Sequence, residues 1–448
     1  MKYHCKSKKG MGVVLAISCM LFMTQSDTSW NGQNAIDGGA LYAQSSFQKS
    51  KDEILKGFRE HKESIVRGPE EMKRMLADIQ KQIKEKNLSF VVELNEMMKY
   101  QIAEITGAQV PKNIKKQAKV QSDFGEELWN QFLKKYRELM RDRKERRHKR
   151  DWRRKKKDEY YEEIVIDEDK KEEEKKEEEK KEEEKIEEDR DTDQYSYRKE
   201  QEEESKEEEI QTDITNPPSP GAVAFTWVQR NKVTPVKYQG ICGSCWAFTS
   251  VAVVEANYLI RRNMNLDLSE QHILDCAEAP DPAYGGSVKS RAGTCQGGWY
   301  GPVFEYLRTN SAALESRIPY KYREATCLPA GATQYKIIAW GYVRSDAGIP
   351  SVEEMKQALC KYGPIAACVK ATPALQAYRS GIFDEFAPCY GEQDINHAIT
   401  IVGWDDRKKA YLVKNSWGTQ WGENGYFWIR YGCNNIGYGA AWVVVSSM

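Results

Sequence analysis

The 448-residue sequence predicts an α+β fold. It has a helical lobe and an antiparallel, barrel-like sheet lobe, preceded by a largely helical region and a charged, low-complexity linker. Three observations carry that expectation. Nine of the eleven cysteines follow Gly240 and none lies between Cys19 and Cys242, so disulfides belong to one C-terminal domain. The 227 residues from Ala222 to Met448 hold most of the Trp, Tyr and Gly, enough for a substantial core. Within them an apolar helical run comes first and strand-like alternation between glycine turns comes last, the order of an α+β domain with a cleft between its lobes.

From the N-terminus, residues 1–43 read as a secretory signal region. Lys2, Lys6, Lys8 and Lys9 precede the apolar run Met11 to Met23, which is too short to span a bilayer. Leu41-Tyr42-Ala43 offers a cleavage site before Gln44, with lipidation at Cys19 as the alternative. Residues 44–140 read as a helical pro-region. Met72, Met75, Leu76, Ile79 and Ile83 recur at helix spacing, as do Phe124, Leu128, Phe132, Tyr136 and Leu139. Leu88 to Leu94 reads as a short strand and Gly107 to Pro111 as a turn. A separate helical domain or coiled coil is the competing reading of this region.

Residues 141–220 read as a linker. Residues 141–159 carry 12 Lys/Arg against 5 Asp/Glu, and residues 161–210 carry 26 acids against 11 bases. The formal net charge of +0 is therefore a cancellation between neighbours and argues for no particular partner; no nucleic acid is expected. Residues 170–185 repeat KKEEE three times and cannot form a core, so disorder or a solvated single helix is expected. Asn216-Pro217-Pro218-Ser219-Pro220-Gly221 is a stiff helix breaker and a place for activation cleavage.

In the domain 221–448, the run Gln239-Gly240-Ile241-Cys242-Gly243-Ser244-Cys245-Trp246-Ala247-Phe248 puts Cys245 at the mouth of an apolar helix. A helix N-terminus or a neighbouring imidazolium lowers a thiol from its usual pKa of about 8.5 toward neutrality. The thiolate needs a basic partner, and the domain holds two histidines. His272, in Leu268 to Cys276, reads as a helix residue. His397, in Asn396-His397-Ala398-Ile399, lies 152 residues after Cys245, near the roughly 130–150 that separate a nucleophilic cysteine from a downstream histidine in one class of thiol enzymes. A third polar group usually orients such an imidazole. Asn415 in Lys414-Asn415-Ser416-Trp417-Gly418, followed by Trp421-Gly422, is the candidate.

Together with the segment Val233 to Ser250, these runs resemble the papain-like cysteine proteases over about half the chain, residues 222–448. The resemblance implies a two-lobed papain-like fold with Cys245 as nucleophile, His397 as base, Asn415 as its orienting group and Gln239 as oxyanion donor. It further implies a peptide-binding strip at Gly297 and Gly298, where a substrate would pair antiparallel. Trp299, Cys368, Ile395, Asn396, Trp417 and Tyr438 would complete the substrate site. With no acid at the base of the main pocket, an apolar residue two positions before the scissile bond is expected. Disulfides carry over as Cys242–Cys295, Cys276–Cys327 and Cys389–Cys433, leaving Cys360 and Cys368 undecided.

Two departures stand out. Ala279 to Thr294 holds no histidine, which disfavours a cathepsin B-like carboxylate-binding loop and favours endopeptidase action. Thr226-Trp227-Val228 replaces the usual Asp-Trp-Arg of the family. The implied protein is an exported zymogen acting on protein or peptide substrates through a thioester, with no cofactor or metal. Its own pro-region would be an intramolecular inhibitor, and the mature protein would have no stable membrane span. The compartment would be extracellular, periplasmic or lysosome/vacuole-like. Transpeptidation by the same nucleophile and a non-catalytic surface binding protein are the alternatives.

Overall fold

The computed structural model describes residues 66–168, 218–280 and 289–446. All lie in one unit, Ser64–Met448. The expected signal region, residues 44–65 of the expected pro-region and residues 169–217 of the expected linker, with its KKEEE tract, lie outside the described residues.

Helix α1, Pro69–Glu85, opens with proline at its first position and Glu70 and Glu71 in its first turn, and ends with Lys84, charges that complement the helix dipole. Its stripe of Met72, Met75, Leu76, Ile79 and Ile83 packs on the core of the sheet lobe. Strand β1, Phe90–Val92, alternates buried and exposed and pairs antiparallel with residues 378–381. The short α2, Ile102–Ile105, delivers the chain to an extended stretch, and α3 then runs unbroken over Ile114–Glu168. Gly107 to Pro111 is thus extended chain crossing a cleft rather than the expected turn. Its glycine serves close approach: a Cβ on Gly107 would stand 1.9 Å from the Gly243 carbonyl oxygen. The backbone also continues as helix through the expected boundary at residue 140.

After β2, Ala224–Thr226, the helical lobe is built from α4, Cys245–Arg262, and α5, Glu270–Cys276. Helix α4 ends on Asn263 in the left-handed region, and α5 is capped by the Ser269 hydroxyl, which accepts the His272 N–H at 2.9 Å. Two small hairpins follow: β3, Glu278–Pro280, with β4, Lys289–Arg291, and β5, Gly293–Thr294, with β6, Gly297–Gly298. The chain continues through α6, Tyr300–Thr309, β7, Ala339–Tyr342, and α7, Val352–Tyr362. It then forms β8, Ile365–Val369, α8, Pro373–Gln376, and β9, Tyr378–Phe383. The last four strands are β10, His397–Asp405, β11, Ala410–Lys414, β12, Tyr426–Arg430, and β13, Tyr438–Val444.

Among the described residues the main sheet runs β1-β9-β12-β11-β10-β8-β13-β7, with β2 added on β10. Its pairings are antiparallel except β12 with β9. Strands β8, β10 and β13 are buried along their whole length, so they read as continuous apolar runs rather than alternating ones. This is the α+β, two-lobed architecture expected of the sequence.

Disulfides Cys242–Cys295 and Cys276–Cys327 are formed. The third implied bridge is not: Cys389 and Cys433 are separate thiols, as are Cys245, Cys360 and Cys368. Buried Cys433 Sγ accepts the Phe386 N–H at 3.3 Å, whereas partly exposed Cys389 Sγ donates to the Gly391 carbonyl at 3.6 Å. The two sulfurs therefore face different backbone groups. Among the described residues no helix is long and apolar enough to cross a membrane.

Candidate active site

Helix α4 begins at Cys245, which places the sulfur at the positive end of an 18-residue dipole. Ser244 precedes it, its hydroxyl 2.6 Å from that of Tyr320. Across the cleft, β10 supplies the other half of the site. The Ala398 N–H donates to Cys245 Sγ at 3.4 Å, and the residue before it is His397. His397 Nε2 lies 2.8 Å from Asn415 Oδ1, an acceptor, so Nε2 carries the proton and Nδ1 is the basic nitrogen. Among the described residues Nδ1 has no hydrogen-bond partner. The Trp417 ring stacks on His397 at 4.7 Å and shields the bond to Asn415.

Gln239 is fully buried. Its Oε1 accepts the Ser416 hydroxyl at 2.6 Å, and its Nε2 donates to the Cys242 carbonyl at 3.0 Å. That fixes the amide with its N–H groups toward the cleft.

The cleft is occupied by residues 105–109 of the same chain. Gln239 Nε2 also donates to the Ile105 carbonyl at 3.2 Å, and Trp417 Nε1 donates to the same oxygen at 2.9 Å. Both Gly107 and Ala108 donate their N–H groups to the Asn396 carbonyl at 2.8 Å. Gly298 donates to the Gly107 carbonyl at 2.8 Å and accepts from the Gln109 N–H at 2.9 Å. The Ala108 to Gly298 pairing is parallel, opposite to the sense expected of a substrate. Gly297, at φ +131°, leaves room for this strand, since a Cβ there would meet the Gly107 carbonyl at 2.7 Å.

This cover changes the electrostatics. Cys245 was expected to be a depressed thiol; burial instead pushes it up to about 12, against the opposing N–H groups of Ala398, Gly107 and Trp246. Burial likewise drives His397 down to about 4, with Asn415 pulling the other way. In the covered state both groups are therefore neutral at pH 7. The helix dipole is present, but desolvation outweighs it.

Trp299, Cys368, Ile395 and Tyr438 share one apolar cluster with Ala108 of the strip. Trp299 Nε1 donates to the Tyr342 hydroxyl at 2.9 Å, and its ring stacks on Tyr300 at 4.4 Å. Asn396 uses its side chain to hold Ala371, accepting from its N–H at 2.8 Å and donating to its carbonyl at 3.0 Å. Three contributors were not anticipated. Tyr300 fills the cluster from behind Trp299, its hydroxyl bonded to the Gly439 carbonyl at 2.5 Å. Glu392 accepts the Tyr438 hydroxyl at 2.9 Å, bringing an acid to a pocket residue. The strip Ile105 to Gln109 had one available signal, the small pair Gly107-Ala108. His272 is buried in the helical lobe, 6.2 Å from the Tyr306 ring.

Beneath the site a buried charge cluster ties the lobes. Lys237 Nζ reaches Glu255 at 2.9 Å, Asp267 at 2.7 Å and Glu270 at 3.0 Å, while Lys414, next to Asn415, donates to Thr234 at 3.2 Å.

Comparison with known proteins agrees with this geometry. The description "papain family cysteine protease" matches residues 221–445. The chain is 38% identical to ananain of Ananas comosus over 208 residues, 45% of this chain and 54% of ananain. It is 34% identical to procathepsin L of Rattus norvegicus over 221 residues, 47% of this chain and 60% of that protein. With digestive cysteine proteinase 1 of Homarus americanus it shares 35% over 225 residues, 48% of this chain and 64% of the relative. The chain spans about half the length of the curated relatives it matches.

Proposed function

Because this chain belongs to the papain family of cysteine proteases, we propose that it is a zymogen of a cysteine endopeptidase whose pro-region blocks its own cleft. One observation carries the reading. His397 is held through Nε2 by Asn415, its Nδ1 left open, on the strand whose next amide touches Cys245 Sγ.

In the uncovered enzyme, Cys245 gives its proton to His397 Nδ1 as sulfur bonds to the peptide carbonyl carbon. The developing oxyanion is taken by the Gln239 amide and the backbone N–H of Cys245, donors worth about 2.7–4 kcal/mol each in comparable sites. The imidazolium then protonates the leaving amine as the carbon–nitrogen bond breaks. Water, losing a proton to His397, adds to the thioester, and thiol and carboxylic acid are released. Asn415 fixes the tautomer that this sequence of transfers requires.

The inhibitor reading rests on Ile105, whose carbonyl takes up the Gln239 N–H, and on the reversed direction of Ala108 along Gly298. The apolar cluster of Trp299, Cys368, Ile395 and Tyr438 supports an apolar residue two positions before the scissile bond. Export to an oxidising compartment is supported by the two disulfides. Finding Cys242 and Cys276 reduced in the protein as its cell makes it would remove that support.

The test is covalent labelling with a peptidyl epoxide before and after processing. An adduct on Cys245 in the processed chain only is expected, with none in Cys245→Ser; no adduct in either form would sink the reading. Cleavage profiling of the labelled preparation's untreated half completes it. A preference for Arg at the second position before the cut would overturn the apolar pocket and implicate Glu392.

A further inference from the structure

We propose that the part of α3 from Ile114 to Met140 is not discarded with the inhibitor but stays on the protease domain as a second chain that buttresses the specificity pocket. The inference rests on the zymogen reading above. The removable inhibitor is then the segment that ends at Gln109.

The contacts of this helix are those of a permanent partner. Strand β7 is the last strand of the sheet and pairs on one side only, with β13. An open edge of this kind exposes unpaired backbone groups and is a liability unless covered. The helix supplies the missing partners. Gln121 Nε2 donates to the Trp340 carbonyl at 3.0 Å. The Ser122 hydroxyl donates to the Tyr342 carbonyl and accepts the Tyr342 N–H, both at 3.2 Å. Approach is close enough that a Cβ on Gly125 would stand 2.0 Å from the Trp340 carbonyl oxygen.

Further along, Trp129, Phe132 and Tyr136 are buried in the core shared with Tyr362 and Trp442. Arg261 lies over the Trp129 ring at 4.7 Å, Arg308 over Phe124 at 4.7 Å, and Glu126 pairs with Lys361 at 3.0 Å while also accepting the Tyr362 hydroxyl.

None of this has to move for the cleft to open. Arg261 lies 16 residues along α4 from Cys245, about 24 Å at 1.5 Å per residue. The strip does have to move, and the link between strip and helix is cuttable: Gln109, Lys112 and Asn113 are exposed. One hydrolytic cut there, adding water across a single peptide bond, severs the strip from the helix and leaves the helix seated. The helix also bears on specificity. Ser122 holds both backbone groups of Tyr342, and the Tyr342 hydroxyl accepts the Trp299 indole N–H at 2.9 Å, so the pocket wall is braced through β7 by the helix.

The experiment starts from the full chain processed until it hydrolyses peptide, followed by native mass spectrometry of the epoxide-treated product. A species containing the domain beginning near residue 221 together with a peptide covering residues 114–140 is expected. The domain alone would overturn the proposal. The adduct on Cys245 reports separately on the protease reading, since helix retention is read from mass whether or not the thiol is labelled. In Gly125→Leu the helix peptide should be lost from the processed species and KM for substrates with an apolar residue at the pocket position should rise; retention with unchanged KM would count against the brace. Should that variant fail to fold, hydrogen exchange on the wild type decides. The Tyr342 amide should stay as protected after processing as before, and rapid exchange would overturn the inference.

Discussion

Gly107 is the residue that lets the strip lie over Cys245. It has no part in chemistry, yet its missing Cβ lets the strip lie against the Gly243 carbonyl, beside the nucleophile. Gly107→Leu cannot seat without displacing that backbone. The unprocessed variant should therefore take up the epoxide at Cys245 while the unprocessed wild type does not; equal resistance of the two would refute the role. Cys245 and His397 stood out in the sequence because each sits in a short run whose chemistry is local, whereas the expected roles of Asn415 and Gln239 came with the family resemblance. Gly107 reads as a turn because the reason for that glycine is a carbonyl 136 residues away in the chain, which no local pattern carries. The same limit explains Cys389 and Cys433. A pairing carried over from a family assumes the family's local backbone, and here the Phe386 N–H engages Cys433 instead.

At the scale of elements, strands β10 to β13 were legible because apolar runs alternate with glycine turns over the last third of the chain. Strand β8 and α8 were less so: they are short, and Ile365–Val369 is buried on both faces, which erases the period-2 signal. The 18-residue α4 was legible from its apolar run, but the 55-residue α3 was divided at residue 140, where buried positions give way to an exposed, basic face. Composition changed there while the backbone did not. The two disulfides, one reaching the β5–β6 turn at Cys295 and one the end of α5 at Cys276, can be checked directly. Alkylation in denaturant without reductant, followed by peptide mapping, should modify Cys389 and Cys433 and spare Cys242, Cys295, Cys276 and Cys327. Protection of Cys389 and Cys433 would restore the third bridge.

For the whole molecule, groups buried with opposite consequences shape the pH response of the covered chain, His397 and Glu315 among them. Burial lowers His397 from 6.5 to about 4, so its neutral ring contributes stability above about pH 6.5 and that contribution is lost as the pH falls toward about 4. Burial raises Glu315 from 4.5 to about 7, so its neutral acid contributes below pH 4.5 and that contribution is lost as the pH rises through about 7. Thermal melts of the Cys245→Ser precursor should show a Tm that declines on both sides of mildly acidic pH. Glu315→Gln should reduce the alkaline decline and make the acid one begin higher, near pH 6.5, because the offsetting contribution of Glu315 between about pH 4.5 and 6.5 is gone. An alkaline decline undiminished by the substitution would assign it to other groups.

The reversed course of Ile105 to Gln109 through the cleft also has a use in inhibitor design. Backbone pairing to Gly298 and Asn396 is gained without placing a cleavable bond in the orientation expected for acyl transfer. A synthetic ligand built on that direction, keeping the side-chain-free centre opposite Gly243, would be a reversible occupant that the enzyme does not consume, with potency constant over incubation.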